Sequence, residues 1–378
     1  MIIKFYKQII LPRLCFVSYY VAKVMLSVYS AYLWVSGACF RGRAESHLCI
    51  EAGVKGWESI EFKELYQSAC EYLPPENVHR LIVQKDKNYL KQIAGILQSK
   101  PITHYLYDPR TDNSDVLLWR PLWQSFLVSL LFLKKGVVPI ILLTDLSVRR
   151  WRSQSAIVSA KRGVVVTFMS PRRVAPIFPH RRLVGPSLMP FSVKTKQMLD
   201  ALIVHRQIQN PSTAIFTGSL YEPRTTVLQK VKTGLSAKGF ELVIKSRGNG
   251  GPRCSDKEYW ERLCYSDIVF TTSDQAIQKG ADWTDIPHLI YRYIEVLASG
   301  SLLVAQDVPS VHRYFIPSEH FVSYSTPEEA INVIAYYLTN NNERFEIARR
   351  GKDKADALIL SRSFWLQVDS ALGGSAML

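Results

Sequence analysis

The sequence predicts an α/β protein with two Rossmann-like domains in tandem behind an N-terminal apolar helix. Three observations carry that prediction. From residue 45 onward, short apolar runs alternate with longer amphipathic stretches, the pattern of parallel strands joined by crossover helices. A proline-rich break over 170–180 and 185–190 interrupts the alternation, which then starts again. The 378 residues, 47% of them hydrophobic, are enough for two cores. The expected boundaries are 1–44 for a basic and apolar helical segment, 45–190 and 191–360 for the two domains, and 361–378 for a C-terminal helix or tail.

The first segment holds Lys4, Lys7, Arg13, Lys23, Arg41 and Arg43 and no acid. Between Lys23 and Arg41 lies the apolar stretch 24–40, which contains serines and falls short of the roughly twenty apolar residues a membrane-crossing helix needs. We expect a helix lying in or against the inner membrane surface, with the protein cytoplasmic. A single-pass anchor and a helix packed on the domain are the alternatives.

In the first domain, strands are expected at 46–51, 79–84, 102–107, 137–144 and 164–169. Helices are expected at 58–73, 87–99, 119–135 and 147–161. The apolar run 122–133 is too short to cross a bilayer and leads straight into a strand, so it reads as a buried helix. After the break, strands are expected at 214–217, 241–245, 268–272, 301–305 and 321–324. Helices fit 222–238, 256–265, a segment beginning near Pro287, 327–338 and the chain from Glu343 onward.

A formal charge of +15 implies an anionic partner. The span 146–199 carries eleven Lys and Arg and no acid. Nucleic acid is a weak choice, because no aromatic-interleaved basic motif or recognition helix accompanies the charge. The six cysteines form no Cys-x-x-Cys pair and have no histidine at zinc spacing, which suggests neither a metal site nor a disulfide framework and fits a reducing compartment.

Ligands of doubly wound sheets bind beyond the carboxyl ends of the strands, so the loops there supply the candidates. Gly218 and Arg224 frame a strand-to-helix turn whose NH groups suit an anion. Lys245 and Arg247 precede a glycine-rich turn that suits a pyrophosphate or is a plain solvated turn. Ser273 lies in the loop after 268–272. Next comes a helix with Ile290, Tyr293, Ile294 and Leu297 on one stripe and His288, Arg292 and Glu295 on another. Gly300 stands where a left-handed cap would end it. The polar stripe is either a solvated face with ordinary ion pairing or a ligand-binding edge. In the first domain, Asp108 and Asp145 stand at strand ends as candidate general bases, or as turn caps. Gly53 and Lys55, after the first strand, line an acceptor cleft or form a plain turn.

The stretch Arg292-Tyr-Ile-Glu295-Val-Leu-Ala-Ser-Gly300 resembles the C-terminal signature of nucleotide-sugar glycosyltransferases of the GT-B fold. Gly218 and Arg224 match that group's Gly-x-x-x-x-x-Arg opening, and the likeness covers about 212–370. It implies that Glu295 holds the ribose hydroxyls of the donor, that Lys245 and Arg247 neutralise its diphosphate, and that Ser273 lies near its base. Pro287 stands where family-4-type retaining enzymes carry a second glutamate, so the better match is to glycosyltransferase-like proteins of the CgeB type. The resemblance implies two domains facing a cleft, a nucleotide-sugar as co-substrate, a saccharide or lipid-linked saccharide as acceptor, and no metal or other cofactor. No Asp-x-Asp motif is present, and Asp112-Asn-Ser-Asp115 has the wrong spacing for one. A glycosyltransferase-like protein that binds sugar or a partner without transfer is the competing reading.

Overall fold

The computed structural model describes residues 11–36, 45–55, 59–84, 86–111, 119–144, 149–176, 178–179, 182–204, 213–247, 254–273 and 289–373. The chain divides into two compact units. The first takes in Met1–Ser187 and Phe364–Leu378, the second Leu188–Lys279 and Thr284–Ser363.

The first unit is a parallel sheet of β1 (Leu48–Val54), β2 (Val78–Val83), β3 (His104–Tyr107), β4 (Val138–Leu143), β5 (Val164–Thr167) and β6 (Leu183–Val184), in the order β2-β1-β3-β4-β5-β6. Its strands are nearly unbroken apolar runs because helices cover both faces of such a sheet. Around it lie α1 (Leu11–Val35), α2 (Ile60–Tyr72), α3 (Tyr89–Ser99), α4 (Trp119–Lys135), α5 (Arg149–Val158) and the single turn α6 (Pro171–Val174). The proline-rich break contributes β6 to the sheet, where a linker is expected. Two residues between prolines and glycine are too few to show a period.

Helix α1 begins at Leu11 and ends at Val35, ahead of the apolar stretch at both ends. It packs on α5 and α4 through Cys15, Tyr19, Ala22, Leu26 and Leu33. The Cys15 thiol donates to the Arg152 carbonyl at 3.6 Å. Among the described residues no helix is long and apolar enough to cross a membrane.

The second unit contains α7 (Val193–Val204), β7 (Ala214–Ser219), α8 (Arg224–Ala237), β8 (Leu242–Arg247), α9 (Asp256–Cys264), β9 (Ile268–Thr271), α10 (Arg292–Ala298), β10 (Leu302–Gln306), β11 (Val322–Tyr324), α11 (Pro327–Thr339) and α12 (Asn341–Leu360). Its parallel sheet has the order β8-β7-β9-β10-β11. Counted from its own first strand this is 2-1-3-4-5, the same order as the first five strands of the other unit. The core packs Phe216, Leu228, Phe270, Val304 and Ile334 between sheet and helices. Beneath it, Arg344 Nη2 meets Asp267 Oδ1 at 3.2 Å with both side chains buried. Asp267 Oδ2 in turn accepts the Thr213 NH at 2.8 Å.

Two elements here differ from expectation. Helix α7 begins inside the acid-free basic tract and runs beyond its end to take in Asp200, and its sequence signal is the cap: the Ser192 hydroxyl accepts the Thr195 NH at 3.1 Å. Helix α10 starts at Arg292, not near Pro287, because its entry is wound tightly. Tyr293 NH reaches the Ile290 carbonyl at 3.3 Å and Ile294 NH reaches that of Tyr291 at 3.1 Å. Pro287 and His288 lie outside the described residues.

The last helix, α13 (Ser363–Leu372), returns to the first unit. Trp365 stacks on Tyr72 and donates its indole NH to Ser68 Oγ at 3.0 Å.

Candidate functional site

In a 2-1-3-4-5 sheet the strand order reverses between the first and third strands, and the crevice beyond their carboxyl ends is the usual ligand position. In the second unit those strands are β7 and β9. Arg224, the first residue of α8, spans their ends. Its Nη1 donates to the Ser219 carbonyl at the end of β7 at 3.2 Å, and its Nη2 to the Thr272 carbonyl after β9 at 3.3 Å. Its guanidinium also lies over the Tyr221 ring, 4.2 Å from the centroid. A planar fork with several donors can do both at once, which an ammonium cannot.

Beside it, Arg292 enters from α10. Its Nη2 donates to the Thr217 carbonyl at 3.0 Å, and its Nη1 bonds the Tyr259 hydroxyl of α9 and lies 3.3 Å from Glu295 Oε2. Gly218 turns the chain beside this contact. Its φ of +152° is poorly suited to a side chain, and a Cβ there would sit 3.2 Å from the Phe216 ring and 3.7 Å from Arg292 Nη2. The Glu295 side chain is 5% exposed and that of Arg292 16%, so the polar stripe of α10 is a buried edge and not a solvated face. Burial pushes the Tyr259 phenol well above its ordinary value; neighbouring Arg292 pulls it down and the Glu295 carboxylate, which accepts from it, pushes it up. Glu295 can exchange such a phenol for ligand hydroxyls, since a carboxylate accepts at two oxygens.

Ser273 belongs to the support of the site. It is fully buried, its NH donates to Gln306 Oε1 at 3.1 Å, and its hydroxyl pairs with that of Tyr293 at 3.2 Å. Tyr293 donates onward to the Gln306 carbonyl at 2.6 Å. This chain fixes the start of the loop after β9. Lys245 is exposed and in register with Thr217, and it lines a groove with Ile215, Val243, Glu258 and Arg262. The Arg247 backbone pairs with Ser219 at the end of β8; its side chain, like His288 and Asp145, lies outside what is described.

The first unit's reversal lies between β1 and β3, and a residue not singled out by the sequence occupies it. Glu51, fully buried in β1, accepts from Tyr89 at 2.5 Å, Tyr105 at 2.8 Å, Thr111 at 2.5 Å and the Asp108 NH at 3.1 Å. Burial pushes its carboxyl up to about 7 despite those four bonds, which favour the ionised form. An acid inside the run Leu48-Cys-Ile-Glu51-Ala was the available signal. Asp108 is also fully buried: Arg110 Nε meets its two oxygens at 3.1 and 3.0 Å, and Nη2 lies 2.8 Å from Oδ2. Arg110 Nη1 reaches Glu61 at 3.1 Å. Asp108 is thus held in a closed ion-paired network. Gly53 is buried with a φ of +103°, and Lys55 is exposed with its NH on the Val83 carbonyl at 2.8 Å.

Residues 227–362 match the family model described as glycosyl transferase-like. No curated protein matches the chain. Among solved structures, Anabaena HepE in complex with UDP-glucose superposes with a TM-score of 0.53 at 9% identity, over 86% of this chain and 98% of that one. A glycosyltransferase from Rickettsia africae gives 0.52 at 10% identity, over 88% and 100%. Sucrose-phosphate synthase from Thermosynechococcus elongatus gives 0.52 at 11% identity, over 86% and 98%. The fold is that of the GT-B glycosyltransferases.

Within this GT-B chain the matched span holds Lys245, Arg247, Ser273, His288, Arg292 and Glu295, with Gly218 and Arg224 just ahead of it. Gly218, Arg224, Arg292 and Glu295 are brought together by geometry alone, through Thr217, Ser219 and Thr272. The GT-B scaffold therefore places a cationic fork, a second guanidinium and a buried carboxylate at one strand reversal.

Proposed function

We propose that this chain is a glycosyltransferase that takes a sugar from a nucleoside-diphosphate donor bound at the second unit. The observation that carries the reading is the Arg224, Arg292 and Glu295 group at the β7/β9 reversal. Arg224 and Arg292, with Lys245 and Arg247 from β8, neutralise the diphosphate leaving group, and Glu295 accepts from the ribose hydroxyls. This division of labour requires no bound metal. The neighbour HepE is seen with UDP and with UDP-glucose, which makes these the first ligands to try. The acceptor is a saccharide or lipid-linked saccharide, met by the basic first unit at the inner face of the membrane, in surface polysaccharide or glycolipid synthesis. Within the GT-B proteins the CgeB-type subgroup fits best, given Pro287.

With Asp108 closed by Arg110, we assign the general base to Asp145. Calorimetry with a panel of nucleoside diphosphates and their sugars tests the donor site: binding should be lost in Glu295→Ala and Arg224→Ala. Unchanged affinity in both variants would sink the assignment.

A second reading, sugar binding without transfer, is favoured by the closed state of Asp108. Release of UDP from a bound UDP-sugar in the presence of acceptor separates the two. Retention of turnover in Asp145→Asn would remove Asp145 as the base.

A further inference from the structure

Helix α1 is apolar on two opposite sides, and the protein covers only one. The inner side carries Cys15, Tyr19, Ala22, Leu26 and Leu33, all buried, on a helix that packs against α4 and α5. The outer side carries Val17, Val21, Val24, Val28 and Val35 at spacings of i, i+4, i+7, i+11 and i+18, with Tyr32 beside them. Each is more than half exposed, from 53% at Val21 to 77% at Val35. This row is about 27 Å long at the helical rise per residue. A contiguous apolar strip of that length marks an interaction surface.

Its surroundings select the occupant. On one flank of the strip Lys161 reaches Ser27 Oγ at 3.3 Å, with Arg162 exposed next to it, while Lys23, further round toward the inner side, holds its ammonium 5.7 Å from the Tyr19 ring centroid. Tyr20 and Trp34, exposed at 56% and 75%, stand on the Ser27 flank too, apolar in body and polar at the tip. Residues 1–44 hold six cations and no acid. A twofold pairing of α1 with a second copy would bring together two segments that are basic and free of acid in sequence. A bilayer with anionic headgroups offers an apolar boundary for the valines and phosphates for the cations. Because its inner side is already seated on protein, the helix can lie on such a surface but not pass through it.

We propose that the outer face of α1 is a docking surface for an anionic lipid bilayer, with the helix axis in the plane of the membrane. This deepens the membrane part of the function proposed above, and it stands or falls separately from sugar transfer.

The test is co-sedimentation of the full chain with vesicles of phosphatidylcholine alone or mixed with phosphatidylglycerol. The wild type should pellet with the mixed vesicles and bind pure phosphatidylcholine at least about tenfold more weakly, since basic residues near the helix gain nothing from an uncharged surface. The triple variant Val21→Glu, Val24→Glu, Val28→Glu should stay in the supernatant. These side chains are exposed, and an unaltered thermal melt in the variant establishes that the fold is intact. Two results overturn the proposal: a wild type that stays in the supernatant with mixed vesicles, or a triple variant that pellets as the wild type does. A wild-type dimer in sedimentation velocity that the triple variant abolishes, without vesicle binding, assigns the face to a second copy and overturns it as well. No donor is present in any arm, so failure here leaves the sugar-transfer reading untouched.

Discussion

Arg224 and Thr272 meet across the strand reversal of the second sheet, with Nη2 3.3 Å from the carbonyl oxygen, while Nη1 of the same side chain holds Ser219. One guanidinium thus ties together the two loops that frame the crevice. Its N-terminal position on α8 adds the helix dipole to its own charge.

Arg224→Lys should therefore cost nearly as much nucleotide affinity as Arg224→Ala. An ammonium is a point donor and cannot bridge both carbonyls while facing an anion. The expected loss is about 1.5–3 kcal/mol, the range for hydrogen bonds to charged groups. Calorimetry with UDP measures it, and a lysine variant of wild-type affinity would show that charge alone suffices.

Gly218→Ala should weaken both stability and nucleotide binding. The new Cβ would lie 3.2 Å from Phe216 and 3.7 Å from Arg292 Nη2, at a φ of +152°. Strain at such a position is about 1–3 kcal/mol. Urea denaturation gives the first quantity and UDP titration the second. A variant as stable as the wild type would mean that the turn relaxes freely.

Removing one partner of the Asp267–Arg344 pair should be among the most damaging single changes in the second unit. Arg344→Leu leaves a buried carboxylate whose other oxygen still holds the Thr213 NH. The cost for such an orphaned charge is about 3–5 kcal/mol. Thermal and urea unfolding report it, and a loss below about 1 kcal/mol would place water at Asp267.

Glu51 should make stability fall as pH rises from about 4.5 to about 7. Its folded-state value is raised, mainly by burial, from 4.5 to about 7. The folded chain then keeps a proton that the unfolded chain releases in this window. The favourable contribution is complete below the unfolded value, declines through the window and is flat above the folded value. The total change is on the order of 3 kcal/mol. Glu51→Gln keeps a hydrogen-bonding group of the same shape without titration. Its denaturation midpoints should lack that slope, and an identical slope in both proteins would mean that other groups cause it.

The sequence alone disclosed the alternation of strands and helices that builds two Rossmann-like sheets, and the pattern that sets Arg292 and Glu295 on one stripe of α10. Those features rest on local patterns: buried parallel strands need continuous apolar runs, and a helix ending in Gly300 needs a residue that tolerates a φ of +73°. Short or irregular pieces escaped it. β6 has two residues, α7 starts with a polar turn, and the tight entry into α10 moves its start to Arg292.

The roles of individual side chains required the folded chain. Arg292 and Glu295 are neighbours in sequence, but whether they face water or a crevice depends on Tyr259 and Thr217, which lie 33 and 75 residues from Arg292. Asp108 looks like a free acid at a strand end until Arg110 closes on it. Glu51 looks like a misplaced charge until two tyrosines, a threonine and a backbone NH converge on it. Helix α1 reads as one apolar stretch, and only packing divides it into a buried and an exposed side. Periodicity records how often a residue returns to a face. Which face is filled, and by what, follows from contacts between segments remote in sequence.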